Sequence, residues 1–254
     1  MITWRLIIQQ ENKPSWNMAV DHAIMDAVSE GMAPPTVRLY RWEGEAVTLG
    51  HNQALQNSVN LQECSRRAIP VIRRITGGRG ILHGGDQGIT ICMQPLEEWS
   101  KSIAGNYAKF AEAFKVALMR MGLETHQGYS ERRQHHVADC FALRSEADIL
   151  CANGEKILGC AQRRVKNAIL EQCSLRHQPM SSSPSDVFLG DFSHSDYPLR
   201  DIEEEIIIQF LLDGFATALS IRFEENSLTM WELERACYLL PEYSPLNPIS
   251  DRFN

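Results

Sequence analysis

Residues 148–164 read Asp-Ile-Leu-Cys-Ala-Asn-Gly-Glu-Lys-Ile-Leu-Gly-Cys-Ala-Gln-Arg-Arg. Two apolar runs flank Asn153-Gly154, a pair that tolerates the positive φ angles of a two-residue hairpin turn, so the stretch predicts antiparallel strands with Cys151 opposite Lys156. A second turn at Lys166-Asn167 leads into AILEQCSL (168–175), a third strand. Upstream of this meander, Thr3 to Gln9 alternate as a strand, and Ser15 precedes a helical face of Trp16, Val20, Ala23, Ile24 and Ala27 that stops before Gly31. Past Pro34-Pro35, TVRLYRW (36–42) and EAVTLG (45–50) read as a hairpin turning at Glu43-Gly44-Glu45. PVIRR (70–74) and GITICMQ (88–94) are further strands. Between Trp99 and Gly122, Ile103, Tyr107, Phe110, Phe114, Leu118 and Met121 recur every three or four residues, the pattern of a long amphipathic helix. Downstream, SSSPSD (181–186) reads as a loop, and Asp201 opens a helix burying Ile202, Ile206, Phe210 and Leu211. Thr229 with Glu232 forms a capping box for a last helix. The order of elements predicts one α+β domain over residues 1–254: a mixed, mostly antiparallel sheet flanked by helices, with a C-terminal helical extension from about residue 222.

Composition narrows the function classes. The 254 residues, 44% of them hydrophobic, can bury a sizeable core. A net charge of −7, from 25 Lys+Arg and 32 Asp+Glu, argues against a nucleic-acid coat protein. The seven cysteines, Cys64, Cys92, Cys140, Cys151, Cys160, Cys173 and Cys237, contain no CxxC pair. Neither a disulfide framework nor a structural zinc site is expected from them. The N-terminus lacks the apolar run of a signal peptide, and the most apolar later stretch carries Gln209 and Asp213. A soluble cytoplasmic protein with no membrane association is the expectation.

Two segments carry chemistry. The first, RRITGGRGILHGG (73–85), puts paired glycines where backbone amides can approach a ligand. It is neither a P-loop nor GxGxxG, since no Gly-Lys-Ser/Thr follows and His83 stands where the last glycine would be. Arg66, Arg67, Arg73, Arg74 and Arg79 fall between Glu63 and Asp86 with no acid among them, which reads as an anion-facing surface. The second runs from His135-His136 through Cys140 to Lys156. A thiolate is a nucleophile when a cation lowers its pKa, and His135, His136, Arg144 and Lys156 surround Cys140 in sequence. Cys92, Cys151, Cys160 and Cys173 fall in apolar strand patterns and read as buried core residues. His126, His135, His136 and Cys140 match no metal-ligand spacing, so no metal is expected.

Together SWNMAVDHAIMDAV (15–28), PTVRLYRWEGEAVTLGHNQ (35–53), RRITGGRGILH (73–83) and EKILGCAQRR (155–164) resemble the lipoate/biotin protein ligase and octanoyltransferase superfamily. Arg79 in the glycine loop and Cys140-Phe141 ahead of the hairpin are most similar to its cysteine-dependent, LipM-type octanoyltransferases. Members commonly place an Asp directly after the loop histidine, whereas this chain has Gly84-Gly85-Asp86.

The resemblance implies that Cys140 attacks octanoyl acyl carrier protein. The octanoyl group then passes to a lysine of glycine cleavage protein H or of a 2-oxoacid dehydrogenase lipoyl domain. Lys156 would favour the Cys140 thiolate and donate to the carbonyl oxygen. Gly77 and Gly78 would line the acyl channel, His83 would lie near the thioester, and Arg73, Arg74 and Arg79 would meet the substrate. No cofactor is required beyond the octanoyl or lipoyl group itself, because thioester to amide is downhill. Three other readings stand beside it: an ATP-dependent lipoate-protein ligase working with a separate accessory subunit, since about thirty residues after Ser220 leave no room for a further domain; an amidotransferase moving octanoyl or lipoyl groups between carrier proteins; and a non-catalytic binder of those groups.

Overall fold

The turn at Lys166-Asn167 forms as read, with Val165 opposite Ala168, but the sheet it belongs to is larger than the local pattern shows. The structure, a computed structural model, describes residues 2–95, 103–129, 137–192 and 196–247. Its first half runs β1 (Ile2–Asn12), α1 (Pro14–Ser29), β2 (Thr36–Trp42), β3 (Ala46–Leu49), α2 (Leu61–Arg66), β4 (Val71–Arg73), β5 (Ile81–His83) and β6 (Asp86–Met93). Its second half runs α3 (Ile103–Arg120), β7 (Thr125–Gln127), a 3₁₀ turn at Cys140–Ala142, β8 (Ile149–Cys151), β9 (Lys156–Val165), β10 (Ala168–Arg176), α4 (Pro184–Val187), α5 (Glu204–Leu219), β11 (Ile221–Glu225) and α6 (Met230–Leu239).

Eight strands form one sheet in the order β11-β1-β2-β6-β10-β9-β8-β7, and β4-β3-β5 form a small second sheet. Pairing is parallel from β11 to β2 and antiparallel from β2 onward. Strand alternation sends Leu6, Leu39, Ile89 and Ile91 to one face, against Phe110 and Phe114 of α3 and Leu211 and Phe215 of α5. Ile7, Tyr40 and Cys92 go to the other, against Val20 and Ile24 of α1 and Ala236 and Leu239 of α6. The α+β architecture is the expected one.

Several local expectations give way to tertiary context. β2 and β3 do not pair: β2 lies between β1 and β6, while β3 sits between β4 and β5. The Glu43-Gly44-Glu45 turn therefore carries the chain from one sheet to the other, with only Gly44 at positive φ. Helix α1 starts at Pro14 rather than after Ser15, because proline's fixed φ suits the first turn and its missing N–H costs nothing there. Helix α5 begins at Glu204 and buries Ile207, Leu211, Gly214 and Phe215, leaving Ile206 facing outward. Ser183 and Asp186 cap one helical turn, α4, inside the stretch read as loop. The C-terminal segment is not helical from about residue 222: Ile221–Glu225 first adds a parallel edge strand to β1. Helix α6 then starts at Met230 on the expected capping box, Glu232 N donating to Thr229 Oγ1 and Thr229 N to Glu232 Oε2.

The hairpin register also differs. Gly154 takes φ +82° and Asn153 does not take a positive φ, so the type I′ turn is not formed. Instead Gly154 N donates to Cys151 O, and Cys151 N to Glu155 O, a three-residue loop with a glycine bulge. The extra residue shifts Lys156 from opposite Cys151 to opposite Leu150.

Candidate active site

Cys140 begins the 3₁₀ turn that crosses above β9. Asp139 starts that turn by accepting Phe141 N at 2.9 Å, and Gly80 fixes it in place: Gly80 N donates to Ala138 O and Cys140 N to Gly80 O. The glycine loop and the cysteine segment, far apart in sequence, are thus held backbone to backbone. Gly159 of β9 lies beneath, and a β-carbon there would already touch Cys140 Sγ at 3.4 Å.

Lys156, at the start of β9, brings its ammonium to this turn. Its Nζ donates to Cys140 O at 2.6 Å and to Asp148 Oδ2 at 2.8 Å, and lies 3.8 Å from Cys140 Sγ. Lys156 and Asp148 are both buried. Burial works to lower the lysine's pKa, but Cys140 when ionised, Asp148 and Asp139 work the other way and hold it above the ordinary value. The thiol shows the opposite balance: burial pushes Cys140 above the ordinary thiol range, and Lys156 and Arg74 offset this only in part. The sulfur thus sits beside a cation in surroundings whose burial favours the neutral thiol. Asp148 also accepts Ser145 N and Oγ, which fixes its carboxylate. The sequence does carry a sign of Asp148, an acid heading an apolar strand that returns toward a lysine, but its pairing depends on the bulge.

His83 ends β5 and is buried, its ring stacked 3.9 Å from Trp42. His83 Nδ1 lies 2.7 Å from Asp86 Oδ2 and Nε2 lies 2.8 Å from Thr48 Oγ1. The two glycines after His83 turn the chain so that Asp86 comes back onto the ring; Gly84 sits at φ +140° and its N–H donates to Asp86 Oδ1. The Gly84-Gly85-Asp86 departure thus still puts a carboxylate on the loop histidine. Burial raises the Asp86 pKa, but His83, Ser174 and the Gly84 amide together hold it below the usual carboxylate value.

Arg66, Arg67, Arg73 and Arg74 are held by partners within the chain rather than forming an open anion-facing surface. Arg66 and Arg67 pair with Glu63, and Arg67 also with Asp186. Arg73 Nη1 donates to the carbonyls of Gly50, His51 and Gln53. Arg74 is buried, with Nε on Thr76 Oγ1, Nη1 on Thr48 O and Oγ1, and Nη2 on Gly77 O and Arg79 O. A guanidinium has five N–H groups, and these five contacts use that capacity. Arg73 and Arg74 clamp loops that a local charge excess alone cannot reveal. The clamp is tight: a β-carbon at Gly50 would sit 2.1 Å from Gly78 O.

A mostly apolar pocket opens beside Cys140. Of the expected site residues, Cys140, Arg74, Gly78 and His83 line it, and Lys156 touches Cys140. Arg73, Gly77 and Arg79 lie outside its lining. Met18, Tyr40, Trp42, Ile81 and Ala161, which the sequence reading does not single out, complete the apolar wall. Cys160 and Cys173 line it too. Its mostly apolar lining, with a few polar groups among it, is that of a small-molecule pocket. His135 and His136 lie outside the described residues.

The Lipoyl protein ligase A/B catalytic domain matches residues 13–193. The chain belongs to this family. Among curated relatives, Octanoyltransferase LipM of Clostridioides difficile is 32% identical, and that of Kyrpidia tusciae 30% identical; each alignment covers 96% of this chain and 97% of the relative. The fold agrees with lipoate-protein ligase A bound with ATP (TM-score 0.82, 23% identity, 95% of each chain). It also agrees with a bipartite lipoate protein ligase from Thermoplasma acidophilum, solved in a study of that ligase and its E2 lipoyl domain (TM-score 0.76, 22% identity, 95% of this chain and 93% of that one). The lipoyl protein ligase A/B match includes the glycine loop, Cys140, Lys156 and the cavity between them. Among the described residues, no helix is long and apolar enough to cross a membrane.

Proposed function

We propose that the chain is an octanoyltransferase of lipoate biosynthesis. In this reading it transfers octanoyl from acyl carrier protein, through a thioester on Cys140, to a lysine of a lipoyl-accepting protein. The observation that carries this is Lys156 Nζ 3.8 Å from Cys140 Sγ at the edge of an apolar cavity. The similarity to relatives named octanoyltransferase supports the acyl group.

In the first step the Cys140 sulfur attacks the thioester carbonyl as its proton leaves. The bond to the pantetheine sulfur breaks, and that sulfur departs as a thiol. In the second, a neutral lysine amine attacks the octanoyl-S-Cys140 carbonyl, the Cys140 carbon–sulfur bond breaks, and Cys140 regains a proton. Negative charge develops at sulfur and at the carbonyl oxygen in both steps, next to an ammonium that Asp148 keeps charged. Because burial disfavours the thiolate, that cation matters most as the charge appears. The cavity takes the octanoyl tail, and His83, held by Asp86, lies on its wall. Glycine cleavage protein H and 2-oxoacid dehydrogenase lipoyl domains are the acceptors this chemistry suits. No nucleotide is required, since the thioester supplies the driving force. The ATP-dependent ligase reading leaves the Cys140–Lys156 contact without a task. Transfer between carrier proteins would share the cysteine chemistry and differ in donor.

Incubation with octanoyl acyl carrier protein should give a single octanoyl adduct on Cys140 by mass spectrometry, with octanoyl lysine appearing once acceptor is added. Cys140→Ala should abolish both while keeping its circular dichroism spectrum. Full transfer by Cys140→Ala, or transfer that requires ATP, would overturn the proposal.

A further inference from the structure

Cys160 and Cys173 stand directly opposite each other on β9 and β10, and Glu171 lies two residues before Cys173 on the same face of β10. The register follows from the Lys166-Asn167 turn. The two sulfurs and a Glu171 carboxylate oxygen lie within 4.8 Å of one another, with Cys173 Sγ 3.9 Å from Glu171 Oε1. The group is enclosed, Glu171 at 1% and Cys173 at 5% exposure. Gln162 Nε2 donates to Glu171 Oε2 at 3.0 Å, but among the described residues no Lys, Arg or His forms an ion pair with this carboxyl. A buried acid with no cation is costly to ionise, and two thiols bring none. Burial accordingly lifts Glu171 to about 8, Cys173 to about 11, and Cys160 well above its ordinary value.

We propose that Cys160, Cys173 and Glu171 form a binding site for a thiophilic divalent cation of the zinc class. Two sulfurs and one carboxylate oxygen are a donor set that zinc accepts, with three protein ligands leaving one position open. Thiolate donors favour such an ion over magnesium or calcium. The 3.9 Å from Cys173 Sγ to Glu171 Oε1 is close to what tetrahedral coordination needs, since bonds of about 2.3 Å to sulfur and about 2.0 Å to oxygen put donors roughly 3.5–3.8 Å apart. A disulfide between the two cysteines would leave Glu171 unused. Access exists, because Cys160 and Cys173 line the cavity shared with Cys140. An ion held here would border the cavity where Cys140 lies.

Cadmium is the optical probe, because thiolate-to-cadmium charge transfer absorbs in the ultraviolet. Full-length reduced Cys140→Ser protein should bind one equivalent with this band. Adding Cys160→Ser or Cys173→Ser should abolish the band. Glu171→Gln should weaken binding by more than the roughly 10- to 100-fold that loss of an outer-shell partner costs. Zinc-loaded Cys140→Ser protein should show two sulfur and at least one oxygen or nitrogen scatterer by X-ray absorption, a readout that does not depend on how the further variants fold. A zinc shell with fewer than two sulfurs, or a cadmium band unchanged by Cys160→Ser in a folded variant, would overturn the site.

Discussion

Two cysteine-bearing corners share one cavity and differ in the charges that face their sulfurs. At Cys140 burial pushes the thiol up, while Lys156 and Arg74 push back. At Cys160 and Cys173 burial also pushes up, and the nearest ionisable neighbour is the acid Glu171 rather than a cation. The fold lets Lys156 stay buried by giving it Asp148 at 2.8 Å, with both side chains 2% exposed. Removing two such charges from water costs several kcal/mol per ion, so this pair is not explained as a stabilising device. Its position explains it: the ammonium spans Asp148, Cys140 O and Cys140 Sγ. Under the proposed function one thiol is thereby equipped for reaction, and under the proposed metal site the other two serve as donors.

The contrast breaks most sharply at Lys156. Lys156→Met should reduce octanoyl transfer by about 10²- to 10³-fold, the usual cost of removing a donor aimed at developing charge. It also strands Asp148 in the interior, so urea unfolding should show a loss of about 3–5 kcal/mol. Near-normal transfer in a folded Lys156→Met protein would make the two corners equivalent and end the electrostatic account. Asp148→Asn is the milder cut. The amide keeps the shape but removes the charge that raises Lys156, so the lysine pKa falls. The alkaline limb of the transfer rate, where the ammonium is lost, should move to lower pH. Stability should drop by about 1–3 kcal/mol from hydrogen bonds left imperfect around Ser145 and Lys156. A pH–rate profile identical to that of the unmodified protein would remove Asp148 from the mechanism.

These residues also show what the chain reveals locally. Helix α3, the Lys166-Asn167 turn and the Thr229 capping box are readable because each is decided within about twenty residues. So, with hindsight, is the facing of Cys160 and Cys173, since that same turn sets both positions. The assignment of β2 and β3 to different sheets is not readable, because each strand's partners lie far along the chain: β6 for β2, and β4 and β5 for β3. Likewise, Arg73 and Arg74 look like anion ligands until the Gly50, Gln53 and Gly77 carbonyls are folded against them. Cys140 and Lys156 were identifiable as types of residue. Their contact, and the part of Asp148 in it, depends on the glycine bulge at Gly154 that moves Lys156 by one position.

The smallest expected effect compares the thiols directly. For a buried thiol the reactive thiolate fraction rises about tenfold per pH unit until its pKa is reached. With Cys173 near 11, about a thousandth of it is ionised at pH 8. Cys140 is raised as well, so it too should alkylate slowly with iodoacetamide at neutral pH and faster as pH climbs. Because Lys156 and Arg74 oppose its burial, peptide-mapping mass spectrometry should find Cys140 labelled ahead of Cys160 and Cys173 at every pH, in metal-free protein. Lys156→Met removes the larger of those two opposing charges, so the Cys140 rate should fall toward that of the other two. If the order survives that substitution unchanged, access through the cavity rather than the ammonium sets the difference.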